Sequence, residues 1–201
     1  MLAAMSIRRR AFGAAAVAVA VVLLGQPAAG NQATGQKRPD AAHLAPYVPT
    51  PQEVVDRMLQ LAQVTKNDVV YDLGCGDGRI PITAAKVYGA RGIGVDIDPQ
   101  RIAEANANAT AAGVSHLVSF RLQDAMTTDV SEATVVTLYL LSSSNLKLRP
   151  ILTRQLKPGA RIVSHAFSMG NWDPDKVDTF NDTANNPRTL YLWKADGKVR
   201  P

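Results

Sequence analysis

A chain of 201 residues, 46% of them apolar, is long enough for one α/β domain with a substantial core and too apolar to be disordered. Its net charge of +5 comes from the amino terminus: residues 1–38 hold five basic and no acidic side chains, while residues 39–201 hold 17 of each, so nucleic acid is excluded as an expected partner of the folded part. A single cysteine, Cys75, excludes an internal disulfide, and no Cys/His cluster suggests zinc.

Arg8, Arg9 and Arg10 precede an uncharged run from Ala11 to Leu24 and the small-residue stretch Gln26-Pro27-Ala28-Ala29-Gly30. A basic region, a short apolar run and small residues form an export-signal pattern, and a membrane span needs about 20 apolar residues. Residues 1–30 are therefore expected to be a signal peptide or amino-terminal anchor, 31–46 a polar linker, and 47–201 the folded domain. The pattern predicts an exported, periplasmic or membrane-associated protein, with a cytoplasmic location as the alternative.

Within the domain, Thr50-Pro51-Gln52-Glu53 carries a capping residue, a proline suited to the first helical turn and a capping-box acid. Val54, Val55, Met58, Leu59 and Ala62 continue it as an apolar helical stripe. Tyr47 and Thr50 stand in the approach to this helix, where they could lean over a ligand. Val69 to Leu73 predicts a buried strand that turns through Gly74, Gly76 and Gly78 into a helix. Gly92 to Asp96 is a second strand, with Asp98-Pro99 capping the helix that follows. Further strands are expected at Leu117–Leu122, Ala133–Leu141, Arg161–Ala166, Lys176–Phe180 and Thr189–Trp193, with a helix from about Asn145 to Leu156. Strands alternating with helices imply a doubly wound, mostly parallel sheet, and the closing pair requires an antiparallel strand.

A strand turning through glycines into a helix can cradle a ligand against the main chain and the helix end. Three ligand classes use such a loop. A phosphate loop needs Lys-Ser/Thr after the glycines, where this chain has Arg79-Ile80. A dinucleotide loop wants a third glycine where Arg79 stands. What remains is Asp72 just before three alternating glycines and a second acid, Asp96, eighteen residues after Gly78.

Tyr71-Asp-Leu-Gly-Cys-Gly-Asp-Gly-Arg79 resembles the first motif of the class I S-adenosylmethionine-dependent methyltransferases. Val95-Asp-Ile-Asp-Pro99 is similar to that family's second motif, Gln123-Asp124-Ala125 to its adenine-contacting turn, and Leu156-Lys-Pro-Gly159 to the loop before its fifth strand. The resemblance covers most of residues 47–193 and implies a Rossmann-like seven-stranded sheet, parallel except for an antiparallel last strand. It implies S-adenosylmethionine as cofactor, with the backbone of Gly74 and Gly76 near its methionine part and Asp72 orienting its amino group. Asp96 would accept from both ribose hydroxyls, Asp124 would bond the adenine amino group, and Ala125 would offer a backbone N–H. Carboxylates suit an ammonium, a vicinal diol and an exocyclic amine. Asp77 reads as a solvated turn residue or a loop brace, and Cys75 as a small packing residue.

The family's signature for base and glutamine acceptors, (D/N)-P-P-(Y/F), would fall after strand four, where the sequence reads Thr137-Leu-Tyr-Leu-Leu-Ser142. Tyr47-Val-Pro-Thr-Pro51, the glycine motif, Tyr139-Leu-Leu141 and Tyr191-Leu-Trp193 together resemble the small lysine methyltransferases related to those modifying the mitochondrial ADP/ATP carrier and the ATP synthase c-subunit. That resemblance implies a protein lysine as acceptor, a membrane-associated substrate among the candidates, and Tyr139 lining the amine pocket. A small-molecule acceptor, or an exported binding protein without turnover, are the alternatives, the latter because adenosylmethionine is made in the cytosol. His165 ends strand five beside the same crevice and reads as a hydrogen-bonded structural residue; His43 and His116 read as surface residues. Ser142 to Asn145 reads as a cap for the helix after it.

Overall fold

A computed structural model of the chain describes residues 47–201; the expected export signal and linker lie outside the described residues. In chain order the elements are α1 (Gln52–Leu61), β1 (Val69–Leu73), α2 (Arg79–Tyr88), β2 (Arg91–Asp96), α3 (Pro99–Ala111), β3 (Val118–Leu122), a 3-10 turn (Ala125–Thr127), β4 (Val135–Leu138), α4 (Ser142–Gln155), β5 (Arg161–His165), β6 (Lys176–Asn181) and β7 (Pro187–Lys194). The seven strands lie in the order β3-β2-β1-β4-β5-β7-β6. The first five pair in parallel, and β7 runs antiparallel between β5 and β6, the arrangement the resemblance implies.

Strand order reverses between β1 and β4, and such a reversal opens a crevice at the carboxyl ends of the strands. Both faces of the sheet are covered, which explains the near-continuous apolar runs of β1 and β4. On one face Val54, Val55, Met58 and Leu59 of α1 pack over Val70, Val135 and Val163. On the other, Leu148 and Leu152 of α4 pack over Val136, Leu138 and Ile162. Successive residues of β4 thus feed opposite cores. Among the described residues no helix is long and apolar enough to cross a membrane.

The helix starts depart from expectation in two places. α1 begins after Pro51 with no side-chain cap. The Thr50 carbonyl accepts from Arg79, and Glu53 receives the backbone N–H and hydroxyl of Thr183, so tertiary partners replace the capping box. β4 stops at Leu138, and α4 begins at Ser142 rather than Asn145. The apolar run Tyr139–Leu141 leaves the sheet: Leu140 meets the glycine loop, and Leu141 stands exposed before the helix. Ser142 to Asn145 accordingly forms the first turn instead of capping it.

Candidate active site

The carboxyl ends of β1, β2 and β4 enclose a crevice whose empty volume, open mouth included, is about 1070 Å³. Five of the six expected cofactor residues line it: Asp72, Gly74, Gly76, Asp96 and Ala125. Asp124 does not. Its Oδ1 accepts the Met126 N–H at 2.8 Å and caps the 3-10 turn, leaving Gln123 and Ala125 as the wall there. The cap engages one carboxylate oxygen of Asp124 and presents its two neighbours to the crevice.

The glycine loop is braced from within. The amides of Gly74 and Cys75 donate to the Val95 carbonyl at 2.9 and 3.0 Å, and Gly78 donates to the Cys75 carbonyl at 2.9 Å. Gly76 donates to Asp96 Oδ2 at 2.9 Å, and the other Asp96 oxygen accepts the Asp98 N–H at 3.0 Å. An anion-binding cradle needs its N–H groups turned to the ligand; here they serve the loop itself. Four carboxylates, Asp72, Asp77, Asp96 and Asp98, also line the crevice. Asp77 and Asp98 are paired with Arg79 and Arg101, which also line the crevice, while Asp72 and Asp96 have no arginine partner among the described residues and suit a cationic ligand end and a diol rather than a pyrophosphate. S-adenosylmethionine fits this set: Asp96 keeps lone pairs that would accept from a ribose diol, and Asp72 would meet an ammonium.

Two glycines are required by their surroundings. At Gly76, φ is +52°, and a Cβ would lie 2.5 Å from the Tyr47 ring, so the aromatic ring rests directly on the loop. At Gly78, φ is +78°, and a Cβ would lie 2.6 Å from Phe120 and 2.8 Å from Ala105. Gly78 therefore does the close-packing job of the missing third glycine. Arg79 is freed for another role: its guanidinium pairs with Asp77 at 2.5 Å and donates to the Thr50 carbonyl at 2.7 Å, tying the segment before α1 to the loop. Arg101, which sequence reasoning did not single out, stacks on Tyr47 at 4.4 Å from the ring centroid and lines the crevice. Its placement three residues after the capping Asp98 was the available signal.

Burial pushes the Asp72 carboxyl up to about 7, against the Thr137 hydroxyl donated at 2.8 Å, with Asp96 and Asp77 adding repulsion. Burial also raises Asp77, but the hydrogen bonds and charge of Arg79 outweigh it and hold Asp77 below the usual carboxylate range. Burial drives the Cys75 thiol far up, as a packing residue and not a nucleophile requires. His116 is exposed, as expected; His43 lies outside the described residues.

Tyr139 lines the crevice beside Leu140. Behind it lies His165, 1% exposed, with ring centroids 4.0 Å apart and planes inclined by 32°. The expected hydrogen-bonded structural histidine is not what the fold builds, since Nδ1 is buried with no partner among the described residues. Burial, with the Arg188 charge second, lowers its imidazole to about 4, so the ring is neutral at physiological pH. Leaving such a polar atom unpaired costs roughly 1–3 kcal/mol.

The ANTKMT methyltransferase domain family matches residues 72–176. The chain is 49% identical over 149 residues to a protein-lysine N-methyltransferase of Saccharolobus islandicus, covering 74% of this chain and 92% of that protein. It is 30% identical over 132 residues to the lysine N-methyltransferase of the ATP synthase c-subunit from Xenopus laevis, spanning 66% of this chain and 58% of that one. Among solved structures, it is similar to an RNA methyltransferase from Salinibacter ruber in complex with S-adenosylhomocysteine. There the TM-score is 0.71 at 54% identity, over 76% of this chain and 97% of the other.

Proposed function

Because this chain belongs to the ANTKMT methyltransferase-domain family and is an S-adenosylmethionine-dependent methyltransferase, we propose that it methylates the ε-amine of a protein lysine. The observation that carries this reading is its likeness to the archaeal protein-lysine enzyme over nearly that enzyme's full length. The site supports it. Tyr139 offers an aromatic wall beside the crevice, and the neutral His165 packed against it adds no positive charge to repel an amine.

The cofactor, when bound, supplies a methyl group activated by a sulfonium. In-line displacement would form the N–C bond as the C–S bond breaks, and the lysine must first lose its ammonium proton to solvent so that its lone pair is free. No protein nucleophile is needed, so orientation is this chain's main contribution, worth up to roughly 7–11 kcal/mol in well-aligned systems. Asp96 and the glycine loop would fix the ribose and tail, Asp72 the ammonium, and Tyr139 the direction of approach.

A second reading, RNA as acceptor, is favoured by the Salinibacter ruber relative. Against it stand 17 basic and 17 acidic residues in 39–201, which give the domain no net positive charge for phosphates, and a crevice lined with carboxylates. The two readings separate when source-cell lysate, membranes included, is incubated with the protein and methyl-labelled cofactor. Label that resists ribonuclease and elutes as methyllysine after hydrolysis supports the lysine reading; label released by ribonuclease refutes it. Export, supported by Arg8–Arg10 and the apolar run after them, remains a proposal of its own. A reporter fused after Ala29 that stays in the cytosol would refute it.

A further inference from the structure

β5 ends in a turn that is fixed from two sides. Ala166, not a glycine, adopts φ +65°. Its N–H donates to the Thr189 carbonyl of β7 at 2.8 Å, and the Phe167 N–H folds back on the His165 carbonyl at 2.8 Å. From the opposite side the Ser164 hydroxyl donates to the Phe167 carbonyl at 2.6 Å, and the fully buried Asn145 of α4 donates to the same carbonyl at 3.1 Å and to Ser164 at 3.2 Å. Non-glycine residues persist in the left-handed region when their surroundings over-determine them, and such turns cluster at functional sites. The product of this arrangement is a row of three rings: Phe167 stacked on Tyr139 at 6.3 Å and His165 packed against it at 4.0 Å, with Tyr139 alone of the three lining the crevice.

We propose that His165 is a positioning residue for methyl transfer: its buried ring, anchored by the turn at Ala166, fixes the plane of Tyr139 beside the path of the acceptor. The inference rests on the reading that Tyr139 walls the acceptor path. His165 is almost fully buried and does not line the crevice, so in this proposal it acts through Tyr139. Burial, aided by the nearby Arg188 charge of β7, leaves the imidazole uncharged beside the tyrosine face.

The test uses the full chain, the source-cell protein extract as acceptor, labelled adenosylmethionine at saturation, and calorimetry with S-adenosylhomocysteine. His165→Leu preserves bulk and removes the ring. It should lower the transfer rate roughly 10–100-fold, the scale of a misplaced reacting group, while homocysteine-product affinity stays within about threefold. His165→Phe restores a ring and should recover most of the rate. Because His165 acts through Tyr139, the double variant Tyr139→Leu/His165→Leu should be no slower than Tyr139→Leu alone. Losses that multiply in the double variant would overturn the inference. So would a His165→Leu protein that binds S-adenosylhomocysteine as poorly as it transfers methyl, or one that works at the wild-type rate while Tyr139→Leu does not. Full turnover by Tyr139→Leu would overturn this inference and the wall reading together. Label found on RNA would overturn the lysine assignment, and the same rate comparisons, run on that acceptor, would still judge His165.

Discussion

Asp72 offers a sharp test of how the crevice binds its ligand. The side chain is 4% exposed at the end of β1 and accepts one hydrogen bond, from Thr137, and burial raises it to about 7 with help from Asp96 and Asp77. Only its ionised form attracts the ammonium of a bound adenosyl amino acid, so binding is linked to loss of the proton. With a carboxyl titrating at about 7, about one site in eleven is ionised at pH 6 and about three in four at pH 7.5. Calorimetric affinity for S-adenosylhomocysteine should therefore rise roughly eightfold over that interval, ~1.3 kcal/mol. At pH 6 the binding heat should also vary with the buffer's ionisation enthalpy, as release of nearly one proton requires. Asp72→Asn should bind with no such pH slope. The stability sign runs the other way: the folded acid holds its proton above its unfolded value of about 4, so this group's contribution is greatest below pH 4 and is lost as pH rises through about 7. Ligand-free Asp72→Asn should accordingly melt higher than the parent at pH 8, the gain shrinking toward pH 5. Constant wild-type affinity from pH 6 to 7.5, or an unchanged slope in the asparagine variant, would refute this reasoning.

Asp96→Ala removes the acceptor for a ribose diol and the brace on the Gly76 and Asp98 amides; S-adenosylhomocysteine affinity should fall about 10–100-fold, and unchanged binding would remove Asp96 from the cofactor site. Gly78→Ala forces a Cβ into Phe120 and Ala105 at positive φ, and denaturant unfolding should register a loss of about 2–5 kcal/mol. A loss below 1 kcal/mol would mean the helix can retreat from β3 at little cost. Arg79→Ala cuts the tie to Thr50 and Asp77; amide exchange at Val48 and Thr50 should quicken, and S-adenosylhomocysteine should leave roughly fivefold faster. Unaltered exchange there would show the segment is held by Tyr47 and Arg101 instead.

The alternating strands and helices, the glycine loop and the acids Asp72 and Asp96 were legible in the sequence because each depends on neighbours a few residues away. Asp98 behaves in the same way: its cap on Gln100, at 2.8 Å, is a local bond, and the helix begins at Pro99 as the sequence predicts. The end of β4 was not legible, because an apolar run reads alike whether it lies in a sheet or lines a crevice. Thr50 and Glu53 matched a capping box, yet their partners are Arg79 and Thr183, 29 and 130 residues away, and no local pattern weighs a distant donor against a near one. The sequence by itself thus pointed to the methyl donor, through short motifs that resemble those of the methyltransferases and each lie within a few residues. The tertiary structure alone decided what those groups do. It consumed the loop amides internally so that the crevice favours a cation, gave Gly78 the packing role of the absent glycine, and set His165 behind Tyr139. Each outcome depends on which side chains the parallel sheet brings side by side at its carboxyl edge, and that juxtaposition is a property of strand order, which reverses between β1 and β4, and not of sequence distance.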